Sequence, residues 1–371
     1  MKTREVVRRL IAAVAVFAFL SGYGLNVNAE EKKTYGKVTY LKTYDPTPEA
    51  ITKDPKYMTV EEITAKAAEG REKGVYGSGK PIKLAFSQVV MNHPVRINMV
   101  KTFKANCKKY KNVTGIVTEG TGDVNTEIAN IESLIQRKPD VLIVSSLSGT
   151  AVYPGYEQIN KAGIPLIINN SGVPDDAATN VDYTAFISPD DWNNGRILAQ
   201  YLAEALGGKG NIIIIGGVAE SSNHQVRLGG FMEVIKEYPD IKIVGEQSGA
   251  WIRMPAMKAA ADLLQANPDV KGIYAMNDEM AMGVLQALRN AGREDEVVMV
   301  SVDGQEDLLR EIKKGSAAKA SVFWESDMTT VVDAALAVAD GAKIDKHIYL
   351  KRPLITKDNV DEWLDKKPQK K

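Results

Sequence analysis

The sequence predicts an α/β protein of two doubly wound lobes, each a parallel sheet with helices on both faces. Three observations carry that prediction. From Lys83 onward, short β-branched runs alternate with helix-length segments, the pattern of βαβ units. The alternation starts again with the helical segment Trp192 to Leu206, which implies a second lobe. The single cysteine, Cys107, excludes an internal disulfide, so the chain relies on a core large enough to hold itself together.

Residues 1–29 read as a cleavable export signal. Lys2, Arg4, Arg8 and Arg9 form a basic start, Leu10 to Leu20 an apolar run, and Val27-Asn28-Ala29 a small-x-small cleavage site after Ala29. The apolar run is about half the roughly 20 residues of a spanning helix. No cysteine stands at the cleavage point to be acylated. The expected location is therefore the periplasm. Removing the leader leaves 43 basic residues against 46 acidic ones, a formal charge near −3, so nucleic acid is not an expected partner.

Residues 30–80 form an N-terminal extension outside the alternation. They hold the turn signals Asp45-Pro46-Thr47-Pro48 and Asp54-Pro55 and one predicted helix, Thr59 to Glu72, where Thr59 and Glu62 have the spacing of a capping box. The extension reads either as a layer packed over the first lobe or as partly a flexible lead. In the first lobe the strands are Ile82 to Phe86, Val113 to Thr118, Val141 to Val144 and Pro165 to Ile168. The apolar stripe Val124, Ile128, Ile131 and Ile135 marks an amphipathic helix between the second and third. Cys107, in the helical stretch from Phe103, reads as a small buried apolar residue. The second lobe repeats the scheme with Asn211 to Ile215, Ile241 to Gly245, Gly272 to Ala275 and Val297 to Val302, and with a helix over Met254 to Ala266. From Asp358 on, the lysine-rich tail reads as a solvated end.

In parallel α/β sheets ligands bind beyond the carboxyl ends of the strands. The residues there are polar or aromatic: Ser87, Gln88, Glu119, Ser145, Asn169, Asn170, Asn277, Asp278, Asp303 and Trp324. Asn, Asp and Arg make paired hydrogen bonds to vicinal hydroxyls, and an indole face suits the C–H face of a sugar ring. For Asn277, Asp278 and Asp303 helix capping is an equally good account, and core packing is the alternative for Trp324 and Trp251. His93 and His224 lack clustered partner ligands, so no metal site is expected. Gly120-Thr121-Gly122-Asp123 lacks the lysine and spacing of a phosphate loop. No nucleophile has an orienting base, so the chain is expected to bind rather than catalyse, with no cofactor.

Ala275-Met276-Asn277-Asp278-Glu279-Met280-Ala281-Met282-Gly283 closely resembles the strand-to-helix junction of periplasmic ribose-binding proteins, and Val300-Ser301-Val302-Asp303-Gly304 their next strand end. Gly163-Ile164-Pro165, Arg227-Leu228-Gly229-Gly230-Phe231 and Asn267-Pro268-Asp269-Val270 are similar to the family as well, so the resemblance covers about residues 80–355. It implies a type I periplasmic binding protein: two lobes joined by a three-segment hinge near Ile187 to Pro189, Trp324 and Arg352 to Leu354. The lobes would then be 81–187 plus 325–353 and 188–324 plus 354–371. It also implies a monomer that closes on its ligand and presents it to an ABC transporter permease.

The binding residues implied are Ser87, Asn92 and His93 after the first strand, with Ser145, Asn170, Arg227, Trp251, Asn277, Asp303 and Trp324. The chain departs from the ribose pattern. Asn92-His93-Pro94-Val95 lacks the expected aromatics, Asn170-Ser171 replaces an Asp-Arg pair, and Trp324 replaces a hinge glutamine. A carbohydrate or polyol other than ribose is therefore expected, and Arg96 and Arg253 keep a sugar acid open if either faces the cleft. The alternative is an autoinducer-2-type signalling receptor acting through a membrane sensor, although that receptor has arginine at the Trp324 position. A repressor of the lactose group would need a DNA-binding headpiece where the export signal stands.

Overall fold

The local rules at Thr59 show why the first long helix begins where it does. The Thr59 hydroxyl accepts from the Glu62 N–H at 3.2 Å while the Glu62 carboxylate accepts from the Thr59 N–H at 2.8 Å, and Gly74 ends the helix at φ 65°. The computed structural model describes residues 49–50, 57–171, 181–350 and 352–364. The export leader and its cleavage after Ala29 lie outside the described residues.

In chain order the elements are β1 (Glu49–Ala50), α1 (Val60–Lys73), β2 (Ile82–Gln88), α2 (Pro94–Cys107), β3 (Val113–Glu119), α3 (Val124–Ile135), β4 (Val141–Ser145), α4 (Gly149–Lys161), β5 (Leu166–Asn169) and β6 (Ala185–Pro189). There follow α5 (Asp191–Ala205), β7 (Lys209–Gly216), α6 (Ser222–Ile235), β8 (Asp240–Ser248), α7 (Arg253–Ala266), β9 (Val270–Ala275), α8 (Asp278–Asn290) and β10 (Val298–Asp303). The last are α9 (Glu306–Lys314), β11 (Ala318–Phe323), α10 (Thr329–Ala339), β12 (His347–Leu350), β13 (Leu354–Thr356) and α11 (Val360–Leu364).

These elements form two parallel-sheet lobes. One sheet runs β1-β12-β6-β5-β4-β2-β3 and the other β13-β11-β10-β9-β7-β8. Every neighbouring pair is parallel except β1 with β12 and β11 with β13. Strands covered on both faces read as unbroken apolar runs, and Ile212, Ile213, Ile214 and Ile215 are all fully buried. The chain passes from one sheet to the other after β6, returns after β11, and crosses again between β12 and β13.

Residues 57–80 pack on the first lobe. Arg71 reaches Asp333 of α10 with Nη1 at 2.7 and 3.0 Å from its two carboxylate oxygens, and Tyr110 donates to the Ala67 carbonyl. Cys107 is buried against Gly115, and burial pushes its thiol up to about 12, the state of an inert core residue. The expected solvated tail needs correction at its start: Val360–Leu364 is helical, with Trp363 packed on Phe323 at 4.7 Å between ring centroids. Two aromatic rings supply enough apolar area to outweigh the charged surroundings of this short segment.

In α5 and α6 the small residues decide the approach. A Cβ on Gly230 would fall 1.9 Å from the Trp192 carbonyl oxygen, so the two helices cross backbone to backbone. This holds the first turn of α6, and Arg227 with it, against the start of α5.

Candidate binding cleft between the lobes

The carboxyl ends of the two sheets supply a buried polar cluster. From the first lobe, Arg96 on the first turn of α2 is 7% exposed and donates to Gln88 Oε1 at 3.1 Å, Ser171 Oγ at 3.3 Å and the Ser145 hydroxyl. With the Asn170 amide turned over, its oxygen also accepts from Arg96 at 2.9 and 3.1 Å. Burial first, and the nearby Arg227 charge, lower the Arg96 guanidinium to about 10. From the second lobe, Arg227 is 4% exposed; its Nε donates to Asp191 Oδ1 at 2.8 Å and its Nη1 to the Met276 carbonyl at 2.6 Å.

His93 caps α2 by accepting from the Val95 N–H, and its Nε2 lies 2.8 Å from Asn277 Nδ2 and 3.9 Å from Asp303 Oδ2. The contact with Asn277 joins the lobes; a neutral ring has a single N–H, so Nδ1 and Nε2 accept from Val95 and from Asn277 in alternate tautomers, one bond at a time. Burial, then the charges of Arg96 and Arg227, hold His93 down at about 3, so the ring is neutral. Asp303 moves the opposite way: burial raises it to about 7, against the lowering effect of Arg227. Further bonds join the lobes, from Asn223 Nδ2 to the Asn170 carbonyl at 3.2 Å and from the Ser222 N–H and hydroxyl to the Leu147 carbonyl at 3.0 and 3.4 Å.

Several of these residues hold backbone conformations that few side chains adopt. Asn170 (φ 72°), Ala250 (52°), Trp251 (67°) and Asp303 (133°) all have positive φ at or just beyond strand ends. Such strain persists only where the surroundings over-determine it, and it concentrates at functional sites. The Trp251 ring lies over Gly217, where a Cβ would fall 2.0 Å from the indole, and the Arg227 guanidinium stands 5.7 Å from the ring centroid. The indole Nε1 atoms of Trp251 and Trp324 and the Asn169 Oδ1 are buried with no hydrogen-bond partner among the described residues.

The structure thus brings together His93, Ser145, Asn170, Arg227, Trp251, Asn277 and Asp303. Three expected site residues sit differently. Asn92 is exposed, because the capping turn that directs His93 inward leaves its neighbour outside. Ser87 is buried on the same strand face as Ala85, beneath α3 and α4, and Gln88 on the other face makes the bond to Arg96. Trp324 packs in the apolar core at the second crossover, with its main-chain N–H on the Asp303 carbonyl at 3.2 Å. Asn277 takes the capping role weighed for it, its Oδ1 capping α8 through the Met280 N–H at 2.9 Å, while its amide meets His93.

Arg96 enters the cluster, whereas Arg253 is paired with Glu279 at the surface. Sequence reasoning passed over Asp191, Asn223 and Ser171. Asn223 stands one helical turn before Arg227, and Asp191 lies two residues past the end of β6, the signals that point to them. His224 lies against Gly216 and 3.8 Å from Glu246, apart from His93.

This arrangement suits a small polyhydroxylated molecule. Two guanidiniums, two amides and two carboxylates stand together there, donors and acceptors of the kind vicinal hydroxyls need, and Trp251 adds an apolar indole.

Comparison with known proteins agrees with that geometry. A xylitol-binding protein of Mycolicibacterium smegmatis is 33% identical over 258 residues, 68% of this chain and 71% of its own length. A ribose import binding protein of Bacillus subtilis is 25% identical over 274 residues, 73% of this chain and 86% of its own. Among solved structures, an ABC transporter periplasmic solute-binding protein of Actinobacillus succinogenes with bound D-allose superposes with a TM-score of 0.70 at 28% identity, covering 76% of this chain and 100% of its own. Residues 84–343 match the periplasmic binding protein domain, and the chain belongs to that family.

Proposed function

We propose that this chain is the extracytoplasmic solute-binding protein of an ABC importer, taking a sugar or sugar-like polyol into the cleft between its lobes and delivering it to the permease. The carrying observation is the buried cluster of Arg96, Arg227, Asn170 and Asp303, drawn from both lobes and flanked by Trp251. His93, Ser145 and Asn277 complete the set of candidate contacts. A ligand that touches both lobes favours the closed form by its differential affinity. The chain binds without turning its ligand over, as its relatives are named for binding and import. Those names favour transport over the signalling reading, and the leader favours the periplasm.

The test is thermal unfolding of the mature protein with pentoses, hexoses, polyols, sugar acids and borate-treated furanones. A ligand at 100 times its dissociation constant stabilises by about 2.7 kcal/mol. A shift with one sugar or polyol class that disappears in Asp303→Ala and Arg227→Ala supports the reading. A shift with the borated compound alone transfers it to signalling, and no shift removes the cleft assignment.

A further inference from the structure

The turn that presents Asp303 to the cleft is held from below. Asp303 (φ 133°) and Gly304 (φ 70°) are consecutive positive-φ residues at the end of β10. The Gly304 N–H donates to Ser321 Oγ at 3.0 Å, the Gln305 N–H to Asp278 Oδ2 at 2.7 Å, and the Gln305 side-chain amide to Asp303 Oδ2 at 3.0 Å. Asp278, at the first position of α8, is 1% exposed, and its carboxylate accepts from the Ser321 hydroxyl at 2.9 and 3.1 Å and from the Ser301 hydroxyl. One buried carboxylate therefore ties β10, β11 and the intervening turn to the start of α8, the helix capped by Asn277.

We propose that Asp278 is a positioning residue for ligand recognition, its buried carboxylate fixing the Asp303–Gln305 turn, and through it the direction in which Asp303 enters the cleft. This rests on the reading that Asp303 contacts the ligand. The fixed groups are the Gln305 N–H and Ser321, and Gln305 passes the constraint on to the Asp303 carboxylate. Burial, and next the charge of Asp303, hold the Asp278 carboxyl well above the ordinary carboxylate range. An asparagine at 278 keeps the oxygen that accepts from the Gln305 N–H and turns an amide donor towards a serine hydroxyl, which has lone pairs to receive it.

The experiment compares wild type with Asp278→Ala, Asp278→Asn and Ser321→Ala in the mature chain. It uses crystal structures without ligand and calorimetric affinities for xylitol, D-ribose, D-allose and myo-inositol. In Asp278→Ala the Asp303 φ should leave the positive region and affinity should fall by about tenfold or more. Asp278→Asn should restore both. A folded Asp278→Ala with an unchanged turn, or with unchanged affinity and only a lower unfolding midpoint, overturns the proposal. Should that variant not fold, Ser321→Ala removes only the ties that this serine makes to Asp278 and to the Gly304 N–H, and wild-type affinity there overturns it equally. If wild type binds none of the four probes, the sugar reading fails, while the Asp278→Ala crystal structure still decides whether the turn depends on Asp278.

Discussion

His93 and Asp303 stand 3.9 Å apart with opposite proton demands. His93, depressed to about 3, binds fewer protons folded than unfolded between about pH 3 and 6.5, so its contribution to stability rises with pH across that window. Asp303, raised to about 7, binds more protons folded than unfolded from about pH 4 to 7, so its contribution falls as pH rises. In wild type the two slopes largely offset each other. Melting curves against pH should separate them: the wild-type advantage over His93→Asn should grow from about pH 3 to 6.5, and that over Asp303→Asn should shrink from about pH 4 to 7. Parallel profiles would show that neither group titrates as its burial demands. At Gly217, alanine must displace the Trp251 ring, so Gly217→Ala should cost about 1–3 kcal/mol of stability and about tenfold in sugar affinity by calorimetry. Much of this cluster was legible in the chain, because strand ends announce themselves by an abrupt polar residue after an apolar run. Asn92 misled because adjacent residues in a capping turn face opposite ways, and Asp191 was missed because an acid at a helix start reads first as a capping residue.

At the scale of elements, helix α1 is anchored by a pair whose acid is more deeply buried than its base. Burial raises Asp333 to about 6 even with Arg71 beside it. Arg71→Ala leaves that carboxylate unpaired and should cost about 3 kcal/mol at pH 8. Without Arg71 to lower it, the Asp333 carboxyl takes its proton above pH 6, so the loss should shrink as pH falls from 8 towards about 6, and a melting series at several pH values reads this out. The α1 boundaries were visible in sequence because a capping box and a left-handed glycine are local signals. The strands β12 and β13, with four and three residues, were not, since periodicity needs more length than either offers.

For the whole molecule, closure is a contest between an open cleft and the direct bonds between lobes, to which a ligand adds its own. Ser222 begins α6, and Ser221 before it is extended at φ −73°, ψ 131°, so the site accepts proline without distortion. Ser222→Pro deletes both the N–H and the hydroxyl bond to the Leu147 carbonyl and leaves the helix's own ladder intact. Small-angle scattering should then show a more open ligand-free protein, with sugar affinity lowered by about fivefold to tenfold at an unchanged melting temperature. The two-lobed architecture was plain in sequence because two rounds of strand and helix admit few arrangements, whereas the degree of closure depends on contacts between residues far apart in the chain. The Ser222–Leu147 bond joins two main-chain groups, so every amino acid but proline at position 222 can make it. Cargo preference can therefore drift through the cleft-lining side chains over evolutionary time while this part of the shutting action is inherited intact, leaving a scaffold open to changes of diet.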